Sequence, residues 1–126
     1  MTWWHSFDSE TQKECDVLLR EQKRLELEYP RYRNCQACED DLNSENLETR
    51  ERYRAFASLV WNNYETMVAR YARRFGTSQF APALRNFAVV HYRFFWRFET
   101  DYGDELRSLV NMILAQEGIP RPTAGQ

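Results

Sequence analysis

An arginine, an asparagine and a histidine lie close together in Arg85-Asn86-Phe87-Ala88-Val89-Val90-His91. A histidine titrates near neutrality and can move protons, and an arginine can neutralise charge that develops on a phosphoryl group. Two thiols stand three positions apart in Cys35-Gln36-Ala37-Cys38. That spacing is half of a zinc site, or a redox pair, with Cys15 or His5 as further ligands that folding would have to bring in. Glu39, Asp40 and Asp41 follow at once, but no glycine permits an EF-hand turn there, so the run reads as a solvated acidic patch. Two tryptophans, Trp3 and Trp4, sit where chain ends normally fray, and they either dock on the fold or anchor a partner. A Gly-rich phosphate loop and a Gly-x-Ser-x-Gly elbow are both missing, and there are two histidines in all, which argues against nucleotide hydrolysis and serine hydrolase chemistry.

The first constellation resembles the signature of the HEPN superfamily: an Arg, a polar residue directly after it, and a His four to six residues beyond the Arg on a helix of a small bundle. Members with this motif are often metal-independent ribonucleases whose paired motifs meet across a dimer. The resemblance implies that Arg85 binds phosphate, that Asn86 helps place it, and that His91 performs acid–base steps on the 2′-hydroxyl or the leaving oxygen. The residues themselves point to a second role. Six steps of about 100° put Arg85 and His91 about 120° apart around a helix. His91 shares its face with Phe87, Phe94 and Phe98, the setting of a hydrogen-bonded core histidine.

Charge is segregated along the chain although the net value is only −2. Residues 1–48 carry 12 acidic and 6 basic side chains, residues 49–98 carry 2 and 9, and residues 99–126 carry 5 and 2. Acidic and basic helices can pair within the fold or between copies, or a basic face can meet an anionic partner. The candidate partner-binding residues are therefore Arg70, Arg73, Arg74, Arg93 and Arg97, with Trp3 and Trp4. Another protein is the first expected partner. RNA is the second, through stacking and charge in Tyr92-Arg93-Phe94-Phe95-Trp96-Arg97, and a homodimer is a further possibility.

The elements that must position these residues read as helices. Turn residues are scarce, with 4 Gly and 4 Pro in 126 residues, and 19 aromatic side chains can fill the core of one short domain. A first helix runs from about Ser9, with Ser9 and Gln12 at capping-box spacing, to just before Pro30, its apolar stripe broken by Gln22. Residues 30–43 read as a loop, or a loop with one helical turn. The clearest element follows: Leu47, Tyr53, Phe56, Val60, Tyr64, Met67, Val68, Tyr71 and Phe75 step by three and four, with Ser44 as cap, Gly76 as stop and a bend expected at Asn62 and Asn63. A third helix runs from after Ser78 to about Phe98, burying Phe80, Leu84, Phe87, His91, Phe94, Phe95 and Phe98. A fourth starts at Asp104, turns Leu106, Leu109, Val110 and Ile113 inward and stops at Gly118. The expectation is an all-α, four-helix bundle with one long central helix, a single domain over 1–118 and a flexible tail over 119–126. No run of eighteen apolar residues and no secretory signal is visible, and three cysteines suit a reducing compartment, so the expected location is cytoplasmic.

Leu25-Glu26-Leu27-Glu28-Tyr29-Pro30, Phe56-Ala57-Ser58-Leu59-Val60-Trp61-Asn62-Asn63-Tyr64 and Ala83-Leu84-Arg85-Asn86-Phe87 through His91 and Phe95 are similar to small bacterial helical-bundle proteins of unknown function. Many of those carry a membrane helix in front. The likeness covers about residues 18–114; it implies the fold and no activity. The expected role is that of a non-catalytic interaction module, an adaptor, inhibitor or accessory subunit with no cofactor. The alternatives are a HEPN-like ribonuclease using Arg85, Asn86 and His91, and a zinc or redox regulator built on Cys35 and Cys38.

Overall fold

The computed structural model describes residues 9–75 and 81–121, and five helices and two 3-10 turns account for most of these described residues. The helices are α1 (Ser9–Glu28), α2 (Cys35–Leu42), α3 (Leu47–Phe75), α4 (Ala81–Arg97) and α5 (Asp104–Gln116), with no strand among the described residues. The chain is all α, as its composition implies. Gly76, Ser78 and Phe80 lie outside the described residues, as does the side chain of Ser9.

The segment 30–43 departs from the loop expected of it. Pro30–Arg33 forms a 3-10 turn and Cys35–Leu42 a true α-helix. Its start is fixed by Asn34, whose side-chain oxygen accepts the Ala37 amide at 2.9 Å, satisfying one of the donors a helix leaves open at its N-terminus. Cys38, Asp41 and Leu42 share one buried face, and α2 packs that face against both α3 and α4. Three consecutive carboxylates, Glu39 to Asp41, conceal this short periodicity in the sequence.

The long helix is present at 29 residues, about 44 Å at 1.5 Å per residue. Its cap is Asn46, which accepts the Thr49 amide at 3.0 Å; Ser44, the expected cap, instead accepts the Asn46 amide at 3.1 Å. The helix is continuous through Asn62 and Asn63. The irregularity lies in α4, where His91 has φ −116° and ψ 20°. Helix α5 ends in a Schellman turn: the Ile119 amide reaches back to the Leu114 carbonyl at 2.7 Å, Gly118 N–H reaches Ala115 O at 3.1 Å, and Gly118 takes φ 79°. Ile119 then packs on the core and Arg121 pairs with Glu99, so the chain stays in contact with the fold past Gly118.

Aromatic rings dominate the core. Trp61 is fully buried, with Phe95 and Phe87 at 4.5 and 5.0 Å between ring centroids, and Tyr102 stacks on Phe95 at 5.2 Å. Such pairs add roughly 0.5–1.5 kcal/mol each beyond the area they bury. They also hold α3, α4 and the turn before α5 in fixed relation, which sets the positions of His91 and Arg93.

Candidate functional site

His91 is turned into the core. It is 2% exposed, its ring lies 4.1 Å from that of Phe87, and its Nδ1 stands 2.7 Å from the Tyr53 hydroxyl. Burial drives its pKa down to about 3, opposed in part by the Tyr32 carbonyl, so the imidazole is neutral at physiological pH. Arg85, six residues earlier, is on the surface with its Nε 3.3 Å from a Glu117 carboxylate oxygen. Asn86 is exposed and shares a groove with His91, but Arg85 does not line that groove. The three residues of the HEPN-like motif are thus not assembled into one site, and the helix geometry that separates Arg85 from His91 is the reason.

The two cysteines of α2 occupy unlike surroundings. Cys35 is the first residue of the helix and half-buried; Arg93 of α4 donates from Nη1 to its sulfur at 3.0 Å. Cys38 is 2% exposed, and its Sγ lies 3.4 Å from the Tyr32 carbonyl oxygen. Burial pushes the Cys38 thiol up to about 12, with the neighbouring Tyr53 hydroxyl acting against it. The Tyr53 hydroxyl, also raised by burial, stands between Cys38 and His91, so Tyr32, Cys38, Tyr53 and His91 form one buried polar cluster. Among the described residues no group of three side chains could hold a metal, and the side chain of Cys15 and all of His5 lie outside those residues.

The acidic run after Cys38 is not a solvated patch throughout. Helix α2 turns Asp41 inward, where Arg31 grips its two oxygens at 3.0 and 2.7 Å. Glu39 meets Arg93 at 3.4 Å, and Asp40 accepts from the Gln36 amide at 3.0 Å. Among the described residues, segments of opposite charge meet across elements at Glu14–Arg70, Glu39–Arg93 and Glu117–Arg85. Of the proposed partner-binding arginines, Arg70 pairs with Glu14 of α1 at 3.2 Å, Arg93 is held by Cys35 and Glu39, and Arg97 donates to the Asn43 side chain at 2.9 Å. Trp3 and Trp4 lie outside the described residues, as do the side chains of Arg73 and Arg74.

Between α1 and α4 runs a groove of about 590 Å³. Leu19, Ala83, Phe87 and Val90 give it apolar walls, and Tyr32 and His91 reach it from the buried cluster. Lys23, Glu26, Arg33 and Asn86 bring charge and polarity to the same groove. Lys23 and Arg33 are exposed and have no ion-pair partner among the described residues, unlike the arginines of α3 and α4 just described. Gln22, the residue that interrupts the α1 stripe, is 5% exposed and lines the groove; its Nε2 donates to Glu26 at 3.4 Å while its Oε1 has no partner among the described residues. The Tyr64 hydroxyl, close enough to the Gln22 amide to be influenced by it, is likewise unpartnered. No pattern in the sequence marks this groove, because it draws on α1, α4 and the 3-10 turn at once. A buried glutamine in an apolar stripe is the one signal that could have directed attention to it.

No protein-family model matches this chain, and neither a curated protein nor a solved structure does.

Proposed function

We propose that the chain is a non-catalytic interaction module, an adaptor, inhibitor or accessory subunit, that seats a segment of a partner protein in the groove between α1 and α4. Helices α1, α3, α4 and α5 act in this reading as a four-helix bundle around the long α3, with α2 laid across α3 and α4. The observation that carries it is the groove's composition: apolar walls beside two cations, Lys23 and Arg33, that lack carboxylate partners among the described residues. The segment it suits presents an apolar side chain next to a carboxylate, the first to displace water from Phe87 and Val90 and the second to meet Lys23 or Arg33.

RNA cleavage has less support. A neutral, buried imidazole is a poor proton carrier for a solvent-borne 2′-hydroxyl, and the arginine that would hold phosphate is elsewhere. The test is affinity capture of the tagged protein from its native cells, with co-purifying protein and RNA both identified. It is run beside Ala83→Trp, which fills the groove, and Leu59→Glu, a change at an exposed position of α3 outside it. A stoichiometric protein partner lost with Ala83→Trp and kept with Leu59→Glu is the expected result. A partner indifferent to both changes, or RNA recovered with no protein, overturns the assignment.

A further inference from the structure

We propose that Cys35 and Cys38 form a thiol–disulfide exchange site for small disulfides, with Cys35 as the attacking thiolate and Cys38 as the resolving thiol. The inference stands apart from the groove and rests on four features of α2 and its neighbours.

Cys35 is the first residue of an α-helix, where backbone amides without intrahelical partners and the helix dipole favour negative charge. A fixed cation reinforces this from a different element: the Arg93 guanidinium donates to the Cys35 sulfur at 3.0 Å. Arg93 is itself held, by Glu39 at 3.4 Å and by lying over the Tyr92 ring at 4.8 Å. Thiolates next to arginine at helix N-termini are the reactive ones, provided reagent can reach them, and Cys35 is only half-buried. Cys38, one turn on, has the opposite character: enclosed, with its sulfur at hydrogen-bond distance from the Tyr32 carbonyl oxygen and its thiol held in the protonated form by burial. A half-buried thiol with a cation at its sulfur, one turn ahead of a shielded thiol, is the asymmetry that a two-step exchange requires.

The chemistry balances with a small disulfide, RSSR, as oxidant. Cys35 thiolate attacks one sulfur; a Cys35–SR bond forms, the S–S bond breaks, and RS⁻ departs. Cys38 gives its proton to the departing thiolate, and its sulfur attacks Cys35 Sγ. The Cys35–Cys38 bond forms as the mixed disulfide breaks, and the second thiol leaves after taking up the proton Cys35 had released. Two protein thiols are oxidised to one disulfide, and RSSR is reduced to two RSH. Residues three apart on a helix have Cβ atoms about 5–6 Å apart, against about 3.5–4.5 Å in a disulfide, so the first turn of α2 must tighten by about 1–2 Å. That turn is tied at its start mainly through Asn34, whose side chain accepts from Ala37 and whose carbonyl accepts the Cys38 amide.

The experiment uses the full chain with Cys15→Ser, leaving these two thiols, and oxidised glutathione as the probe. Intact-mass analysis is expected to give loss of two hydrogens with no adduct, while Cys38→Ser stalls with one glutathione on Cys35. In the reduced protein, iodoacetamide at pH 7 is expected to label Cys35 about tenfold more slowly in Arg93→Gln, which loses the cation at the sulfur, whereas Arg93→Lys keeps most of the rate. Two free thiols after glutathione treatment of the folded protein, or no adduct on Cys35 in Cys38→Ser, overturns the proposal. Because the first readout needs no change at Arg93, Cys35 or Cys38, it holds even if a variant fails to fold.

Discussion

His91 makes the fold's stability depend on pH in a way that can be worked from its surroundings. Its ordinary value of 6.5 is lowered to about 3 by burial, so between these limits the unfolded chain takes up a proton that the folded chain does not. A depressed folded-state pKa gives stability that is complete above pH 6.5 and is lost as pH falls toward 3. Each pH unit in that window costs about 1.4 kcal/mol, or about 2.7 kcal/mol between pH 6.5 and 4.5. For a domain of 126 residues that corresponds to a fall in Tm of roughly 10 °C. The perturbation is His91→Asn, which keeps a hydrogen-bonding group for the Tyr53 hydroxyl but cannot titrate. Ring loss should lower stability at pH 7 by about 2–3 kcal/mol. The informative quantity is the slope. Urea unfolding of both proteins at intervals from pH 4.5 to 7.5 gives the difference in ΔG, from which carboxylates common to both chains, and His5, cancel. The gap between wild type and variant should narrow steadily below pH 6.5. Parallel curves would refute the placement of a neutral His91 in the core, and a gap that widens on acidification would mean that the imidazolium has an anionic partner.

Two smaller predictions concern elements whose roles the sequence did not announce. Arg31→Met should lower Tm more than Asp41→Asn, because Arg31 is largely exposed while Asp41 is buried, and removing the cation leaves a carboxylate without its partner away from water; thermal melts of both variants give the order, and the reverse order would mean that the pair is solvated. Gly118→Ala should cost about 1 kcal/mol from its φ of 79° alone, since a Cβ there meets nothing within 4 Å; chemical denaturation measures it, and an unchanged midpoint would show that the Schellman turn does not persist in solution.

How far the fold could be read from the sequence depended on how long each periodicity lasted. Helix α3 repeats its apolar step over eight turns, so it was legible nearly to its ends. Its cap was misplaced by two residues because Ser44 and Asn46 both carry capping side chains and only the backbone decides between them. In α2 the apolar signal is three residues, Cys38, Leu42 and the half-buried Cys35, spread among carboxylates and amides, and eight residues of that kind do not outweigh a charged run. Local propensity points to a bend at Asn62 and Asn63, whereas the irregular residue is His91, whose side chain is committed to Tyr53 on another helix. Local chemistry gave no warning, because the constraint is tertiary.

The site followed the same rule with a different outcome for each motif. His91 and Cys35 were both singled out for their reactive side chains, and burial separates them: the same aromatic shell that could be expected from Phe87 and Phe94 removes His91 from solvent and keeps it neutral. For Cys35 the deciding partner is Arg93, 58 positions away. The basic segment reads as one block in the sequence, yet its described members pair with particular groups: Glu14 for Arg70, Glu117 for Arg85, Cys35 and Glu39 for Arg93 and Asn43 for Arg97, while Arg50, Arg52 and Arg54 meet Glu48 and Glu51 within α3. Part of the segregated charge thus docks elements together, through Arg70–Glu14, Arg93–Glu39 and Arg85–Glu117. The cations beside the groove left without an ion-pair partner among the described residues, Lys23 and Arg33, are the ones that the proposed binding role would use, and they come from the acidic N-terminal part of the chain, where net charge alone would not have placed them.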